Sequence, residues 1–297
     1  MRGTALIALD GWVARDGVRL HYLDWPGEPE RPVLALHGLS SNARFWSRVA
    51  GRMEGRRLVA LDLRSHGSSD AVGDGDGVAT LVADAVAVAK ACGLDRPVVA
   101  GHSWGAAIAL EVAARHPDEV SALAFYDGPA WPLADAIPWE AFAARTQPPL
   151  ARYPDLASAI DAARASFGAA WSDDLVEFVR AGLVASAGEL ALPLTRAARA
   201  HILRDLFDLR QDRAWRTLSV PAIAAFAARK SAVALSDTRR AAERIASVAP
   251  RVLIKWYETP HDIPLYRPDE VARDIRDLQE RPLVRLTRPG TASNTSR

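Results

Sequence analysis

Residues 101–105 have the types and spacing of a serine nucleophile. They read Gly-His-Ser-Trp-Gly, with an apolar run at residues 98–100 before them and an apolar-periodic segment at residues 106–115 after them. This pattern predicts a strand, a sharp turn and a helix. The two glycines leave room for the turn, so the serine is held in a strained conformation at the helix N-terminus. We therefore predict that Ser103 is a nucleophile.

A serine hydroxyl is a poor nucleophile at neutral pH and needs a general base. Among the seven histidines, His261 is the best candidate, because it follows the last strand run, residues 251–256, in a proline-flanked loop. In the chain order serine, acid, histidine, the base comes last. We predict that His261 accepts the proton of Ser103.

The acid that orients the histidine is less clearly marked. The loop at residues 227–232, which follows the strand run at 220–227, contains no carboxylate. Asp127 ends the strand run at 119–126 and lies between the nucleophile and the base in sequence, so it is the preferred acid, although Asp-Gly is also a plain turn signal. Asp237 is the alternative, and it also suits a helix cap.

Acyl transfer also needs donors for the developing oxyanion. The backbone N–H of Trp104 is one candidate, and the N–H of Leu39 is the other, because Gly38 permits a close backbone approach. We also predict substrate contacts by Gly38, Trp131 and Trp139. For the two tryptophans, core packing under short helices is an equally good interpretation.

Strand runs and helical segments alternate along most of the chain. This order predicts an α/β fold, with a mostly parallel twisted sheet flanked by helices, after an antiparallel hairpin at residues 11–25. Because open α/β sheets bind ligands at the carboxyl ends of their strands, the candidate residues are expected to meet there. The strand runs are residues 32–36, 57–61, 98–100, 119–126, 220–227 and 251–256.

Residues 130–216 differ from the rest, because they lack apolar strand runs and read as several short helices broken by prolines. We predict that they form a helical insert after Asp127, lying above the carboxyl ends of the sheet. The core is then residues 1–129 and 217–285, and residues 286–297 form a flexible C-terminal tail.

Composition narrows the function classes. The 297 residues carry a net charge of +1, which calls for neither nucleic acid nor an anionic membrane as a partner. No apolar run approaches the roughly 20 residues of a membrane span, and the N-terminal run is too short for a signal peptide, so we expect a cytoplasmic protein. No cluster with metal-ligand spacing and no phosphate-binding loop occurs, so we expect neither metal nor cofactor. The expected partner is a small-molecule substrate, and a homodimer stays open.

Four motifs together resemble the α/β-hydrolase superfamily, over roughly residues 10–129 and 218–280. They are Gly-His-Ser-Trp-Gly, the His-Gly-Leu-Ser-Ser loop at 37–41, Asp-Leu-Arg-Ser-His-Gly-Ser-Ser-Asp at 62–70, and the late His261-Asp262. The resemblance implies a serine hydrolase with a helical cap, inserted after the sixth core strand, which corresponds to residues 130–216. Two departures stand out: Ser65 replaces a glycine, and no acid follows the seventh core strand. Some members carry the acid after the sixth strand, which corresponds to Asp127.

We therefore expect a capped serine hydrolase that cleaves a carboxylic ester or lactone through an acyl-enzyme. A proline-iminopeptidase-like amide hydrolase, a carbon–carbon bond hydrolase and an acyltransferase would use the same residues. A non-catalytic ligand receptor on the same fold is a further alternative, motivated by the missing acid. Ser103 disfavours the relatives that use an aspartate nucleophile, such as haloalkane dehalogenases and epoxide hydrolases.

Overall fold

The computed structural model describes residues 7–72, 77–147 and 150–280. In these residues the strands are β1 (Leu9–Arg15), β2 (Val18–Trp25), β3 (Glu28–Leu36), β4 (Arg56–Leu61), β5 (Val98–His102), β6 (Ala122–Tyr126), β7 (Arg152–Tyr153), β8 (Val184–Ser186), β9 (Glu189–Ala191), β10 (Ala222–Ala227) and β11 (Val252–Tyr257). The α-helices are α1 (Ser47–Ala50), α2 (Val78–Ala91), α3 (Trp104–Arg115), α4 (Trp139–Thr146), α5 (Leu156–Phe167), α6 (Val176–Ala181), α7 (Arg196–Asp208), α8 (Gln211–Thr217), α9 (Ala232–Val248), α10 (Ile263–Tyr266) and α11 (Pro268–Glu280).

Eight strands form one sheet in the order β1-β2-β4-β3-β5-β6-β10-β11. The hairpin β1–β2 and the pair β2–β4 are antiparallel, and the remaining neighbours are parallel. The predicted mostly parallel α/β sheet is therefore confirmed. The central strands β5, β6 and β10 are buried at every residue, because both faces of a parallel sheet are covered.

Helices bury both faces of this sheet. Val99 of β5 packs in the cluster that includes α2, α3 and α8, whereas the preceding Val98 packs in the cluster that includes α1, α10 and α11. The alternation follows from the two-residue side-chain period of a strand. Apolar packing in these two clusters holds in place the strands that carry the candidate residues.

The register of the sheet brings the carboxyl ends of five strands to one edge. Leu36 pairs with Gly101, and His102 pairs with Tyr126. On the other side of β6, Ala227 at the end of β10 pairs with Tyr257 at the end of β11. The loops that follow these strands therefore begin side by side, as sheets of this type require for a ligand site.

Between β6 and β10 the chain forms α4 to α8 and a small antiparallel sheet of order β7-β9-β8. The expectation that this part contains only short helices is wrong for these strands. They are two or three residues long and lack an apolar run, so hydrophobic periodicity does not reveal them. The buried Trp215 donates its indole N–H to the carbonyl of Ala130 at 2.8 Å, which fastens the end of the segment to its beginning.

The start of helix α9 and the C-terminal tail are two further features that the sequence analysis addressed. Helix α9 begins at Ala232, and its cap is Ser231, whose hydroxyl accepts the N–H of Ala234 at 3.3 Å, so the interpretation of Asp237 as a helix cap is wrong. The predicted tail at residues 286–297 lies outside the described residues. Among the described helices, none has the length and apolar character needed to cross a bilayer.

Candidate active site

Ser103 stands in the turn between β5 and α3 in a strained conformation, with φ 55° and ψ −123°. The turn is too tight for side chains at the flanking glycines. A Cβ on Gly101 would lie 2.2 Å from the carbonyl oxygen of Gly105, and a Cβ on Gly105 would lie 2.4 Å from the carbonyl oxygen of His37. This packing explains the Gly-x-Ser-x-Gly spacing.

Ser103, His261 and Asp127 form one chain of hydrogen bonds. His261 Nε2 lies 2.9 Å from Ser103 Oγ, and His261 Nδ1 lies 2.6 Å from Asp127 Oδ2. An ionised carboxylate can only accept, so Nδ1 carries the proton and Nε2 is free to accept the serine proton. The Asp127 side chain is 1% exposed and that of His261 is 50% exposed, so the carboxylate is shielded from water and the imidazole is accessible to solvent.

The other oxygen of Asp127 binds two donors that sequence reasoning missed. Oδ1 accepts the N–H of Ala227 at 3.0 Å and the ammonium of Lys230 at 2.7 Å. Lys230 lies in the loop after β10 and also contacts Thr238 Oγ1 at 3.2 Å. No local sequence pattern marks Lys230 for this contact, because it depends on how the loop after β10 folds back.

These partners keep Asp127 ionised. Burial alone would raise the pKa of its carboxyl, but the hydrogen bond from His261 and the charge of Lys230 outweigh burial and hold that pKa below its usual value. The alternative acid, Asp237, lies exposed on α9 and pairs with Arg240. The structure thus brings Asp127, and not Asp237, to His261.

The two candidate oxyanion amides both border Ser103. Trp104 is the first residue of α3, and the first N–H groups of a helix have no partner within it. The loop that carries Leu39 also lies against the serine, since a Cβ on Gly38 would be 3.0 Å from Ser103 Cβ. The next N–H in this loop, that of Ser40, donates to His66 Nε2 at 3.0 Å and fixes the loop in place.

His102, inside the turn, contributes more than its sequence position indicated. Its ring is buried, stacks on Phe45 at 4.6 Å, and lies 3.1 Å through Nε2 from the carbonyl of His261. Because a carbonyl only accepts, this nitrogen carries the proton. Burial and the nearby His261 lower the pKa of His102 to about 3, so the ring stays neutral. His102 therefore positions the loop of the proposed base.

Among the described residues, one group has the spacing of metal ligands: His102, His261 and Asp262, with donor atoms within 4.8 Å of one another. The hydrogen bonds of His261 do not suit a metal. Both of its nitrogens are already engaged by Ser103 and Asp127. A metal ligand must offer a free lone pair.

The two tryptophans predicted to contact substrate lie in different surroundings. Trp139 packs 5.3 Å from Phe207, in an apolar cluster that also contacts Leu39. Trp131 stacks with the guanidinium of Arg244 at 5.4 Å and lines a cavity against α9. The described lining of this cavity includes none of the triad residues, Ser103, Asp127 and His261. The structure thus associates Trp139 with the candidate oxyanion loop and does not bring Trp131 to the triad.

The Lys230–Asp127 contact predicts a pH effect. In Lys230→Met, the pKa of Asp127 rises because a neighbouring positive charge is lost. Because the relay requires the ionised carboxylate, the kcat/KM of the variant relative to that of wild type falls as the pH falls into the range in which Asp127 takes up a proton. Rates on the alkaline plateau change far less. A pH–rate profile with a neutral ester measures both.

Lys230→Arg is the matched control, because it keeps the charge next to Asp127, and its acid limb should stay close to that of wild type. Identical acid limbs in wild type and Lys230→Met would show that the lysine does not influence the acid.

Comparison with known proteins gives the following matches. Residues 33–274 match the family described as Alpha/beta hydrolase family. The chain is 34% identical to epoxide hydrolase A of Mycobacterium tuberculosis over 139 residues, 45% of this chain and 42% of that protein. It is 37% identical to lipase LipV of the same organism over 107 residues, 34% of this chain and 38% of that protein. The matches thus span less than half of either relative.

Among solved structures, the thioesterase domain from the curacin biosynthetic pathway superposes with a TM-score of 0.74 at 18% identity. The superposition covers 91% of this chain and 99% of that domain. At this level of identity the likeness concerns the fold.

Proposed function

The chain belongs to the alpha/beta hydrolase family, and on that premise we propose that it hydrolyses carboxylic esters, lactones included, through an acyl-enzyme. The observation that carries the proposal is the unbroken relay from Ser103 Oγ through His261 to Asp127, at 2.9 and 2.6 Å. A hydroxyl, a base and an orienting acid in contact are what nucleophilic acyl transfer needs.

In the first half-reaction, Ser103 Oγ attacks the substrate carbonyl while His261 Nε2 takes the hydroxyl proton. The positive imidazolium that forms is stabilised by Asp127, which Lys230 and the Ala227 N–H hold in place. The carbonyl oxygen becomes an oxyanion, and we assign its stabilisation to the N–H groups of Leu39 and Trp104. The intermediate then collapses, and the departing alkoxide takes the proton from His261.

In the second half-reaction, a water molecule attacks the acyl group on Ser103 Oγ. His261 removes a proton from that water and returns it to the serine as the acid departs. The half-exposed ring of His261 supports this step, because water reaches the base without a change in its surroundings. The same exposure favours hydrolysis over transfer to a second substrate that would need water excluded.

A substrate panel tests the proposal. Purified wild type and Ser103→Ala are assayed with neutral aryl and alkyl esters, five- and six-membered lactones, aminoacyl amides and a β-diketone. We expect ester or lactone hydrolysis by wild type alone. Cleavage confined to the amides would indicate a peptidase, and cleavage confined to the diketone would indicate a carbon–carbon bond hydrolase. No turnover of any class, with a folded protein, would favour the receptor alternative.

A further inference from the structure

Arg199 links the segment between β6 and β10 to the loop that carries the candidate oxyanion amide. From α7, its Nη1 donates to Ser40 Oγ at 2.5 Å, and its Nε and Nη2 donate to the carbonyl of Thr146 at 3.2 and 3.0 Å. Ser40 follows Leu39 directly, so the guanidinium contacts the residue next to the candidate oxyanion amide of Leu39.

The partners of Arg199 are all neutral. Within the parts of the chain that the structure describes, no carboxylate comes within ion-pair distance of this half-buried guanidinium, and burial lowers the pKa of Arg199 without an opposing negative charge. A cation removed from water without a counter-charge is unfavourable. Five arginines of the same segment do have carboxylate partners: Arg152, Arg164, Arg180, Arg204 and Arg210.

The guanidinium also has donors to spare. Of its five N–H groups, the described contacts use three, which leaves one on each terminal nitrogen. Two N–H groups on neighbouring terminal nitrogens match the geometry of a carboxylate. Arg199 can therefore accept an anion while it keeps its present contacts.

The field of Arg199 reaches the catalytic region. Burial, with the charges of His37 and Arg199 acting in the same direction, lowers the pKa of His66 to about 3. The ring of His66 receives the Ser40 N–H and lies 5.4 Å from the ring of Trp104, the residue after the proposed nucleophile. The positive charge thus lies against Ser40, in the loop whose glycine packs against Ser103.

The same face of α7 supplies an apolar surface beside the charge. Leu203 and Phe207 follow Arg199 at four-residue intervals, so the three side chains lie along one side of the helix. Leu203 and Phe207 belong to the apolar cluster that Leu39 and Trp139 contact. The cation therefore lies next to a buried apolar cluster that also contacts Leu39 of the candidate oxyanion loop.

We propose that Arg199 is a specificity-determining residue that binds a carboxylate of the substrate. The substrate class is then an ester or lactone whose apolar part carries a carboxylate remote from the scissile bond. This inference rests on the proposed function, because it assigns the substrate class to the site of Ser103.

The test uses two matched ester pairs and a binding measurement. On the alcohol side, 4-acetoxybenzoate is compared with 4-acetoxybenzamide. On the acyl side, monophenyl adipate is compared with its terminal amide. For at least one pair, wild type should prefer the anion in kcat/KM by about tenfold to a hundredfold, mostly through KM. Arg199→Gln should abolish this preference, so the anionic and neutral partners of each pair should then react with equal kcat/KM, whatever the variant does to the rate on the neutral partner. Arg199→Lys should retain part of the preference.

Binding of the same four compounds to Ser103→Ala and to Ser103→Ala/Arg199→Gln is measured by calorimetry, which does not depend on turnover. Tighter binding of an anion that is lost with Arg199 supports the carboxylate site even if no ester is cleaved, in which case the proposed function fails alone. Ester hydrolysis without any preference for the anions, in wild type, overturns the carboxylate site and leaves the proposed function standing. Equal losses on anionic and neutral esters in Arg199→Gln, with an unchanged melting temperature, would make Arg199 a tether only and also overturn it.

Discussion

Asp127→Asn lowers kcat by about 10⁴-fold in our account, whereas Asp237→Asn leaves it within about twofold of wild type. The two substitutions are chemically identical, and only one affects the relay. Asp127 Oδ2 accepts the proton of His261 Nδ1, while Asp237 is exposed on α9 and paired with Arg240.

The contacts of Asp127 explain why the amide side chain of Asp127→Asn should lower kcat so strongly. Lys230 and the N–H of Ala227 both donate to Oδ1, so they hold the amide oxygen of an asparagine on that side. The amide NH₂ then faces His261 and can only donate to Nδ1. The ring is forced to carry its proton on Nε2, where it cannot accept the proton of Ser103.

Steady-state kinetics on the best ester of the panel measure both variants, and melting temperatures confirm that each one folds. Loss of activity in Asp237→Asn with near-normal activity in Asp127→Asn would transfer the role of the acid to Asp237.

The second large effect is expected at the nucleophile and the base. Ser103→Ala and His261→Gln should each lower kcat by about 10⁴-fold or more, and the double variant should be no slower than the slower single one. The reason is that the two residues perform one step. Without Ser103 Oγ there is no proton for His261 to take, and without His261 the ring nitrogen that lies 2.9 Å from Ser103 Oγ is lost, so the hydroxyl stays protonated.

Rates for all four proteins, obtained on the same ester at the alkaline plateau, give the double-variant cycle. If the two losses multiplied in the double variant, the residues would act independently, and the relay would not be the source of the activity.

The meeting of Ser103, Asp127 and His261 followed from the sequence for a simple reason. Each residue comes directly or shortly after an apolar strand run, and parallel strands present their carboxyl ends at one edge. Because residues 227–232 contain no carboxylate, the sequence favours Asp127 as the acid. Distances and protonation states required the coordinates, because they depend on side-chain directions that strand order does not specify.

The partners of the triad were beyond the reach of sequence patterns. Lys230 contacts Asp127 because the loop after β10 turns back over the end of β6, and no local pattern predicts that turn. His102 occupies a variable position of a turn motif, and its bond to the carbonyl of His261 joins residues that are far apart in sequence. Arg199 belongs to a helix with several arginines, and only the folded structure shows that its guanidinium reaches Ser40 and Thr146.

The departure at Ser65 also has a structural reason. Its φ of 62° lies in the left-handed region that favours glycine, which accounts for the glycine in the superfamily pattern. The serine hydroxyl accepts the N–H of Val72 at 2.9 Å. This bond offsets part of the cost of the backbone conformation, so the loop that carries His66 keeps its shape without a glycine.

The central claim is that Ser103 Oγ becomes nucleophilic through His261, and a fluorophosphonate probe tests it most directly. After a short exposure to the probe, intact mass and peptide mapping locate the adduct and give its rate of formation. We expect one phosphonate per chain on Ser103 of wild type, markedly slower labelling in His261→Gln, and none in Ser103→Ala. Labelling of another residue in wild type, or labelling of Ser103 at the same rate with and without His261, would contradict the account.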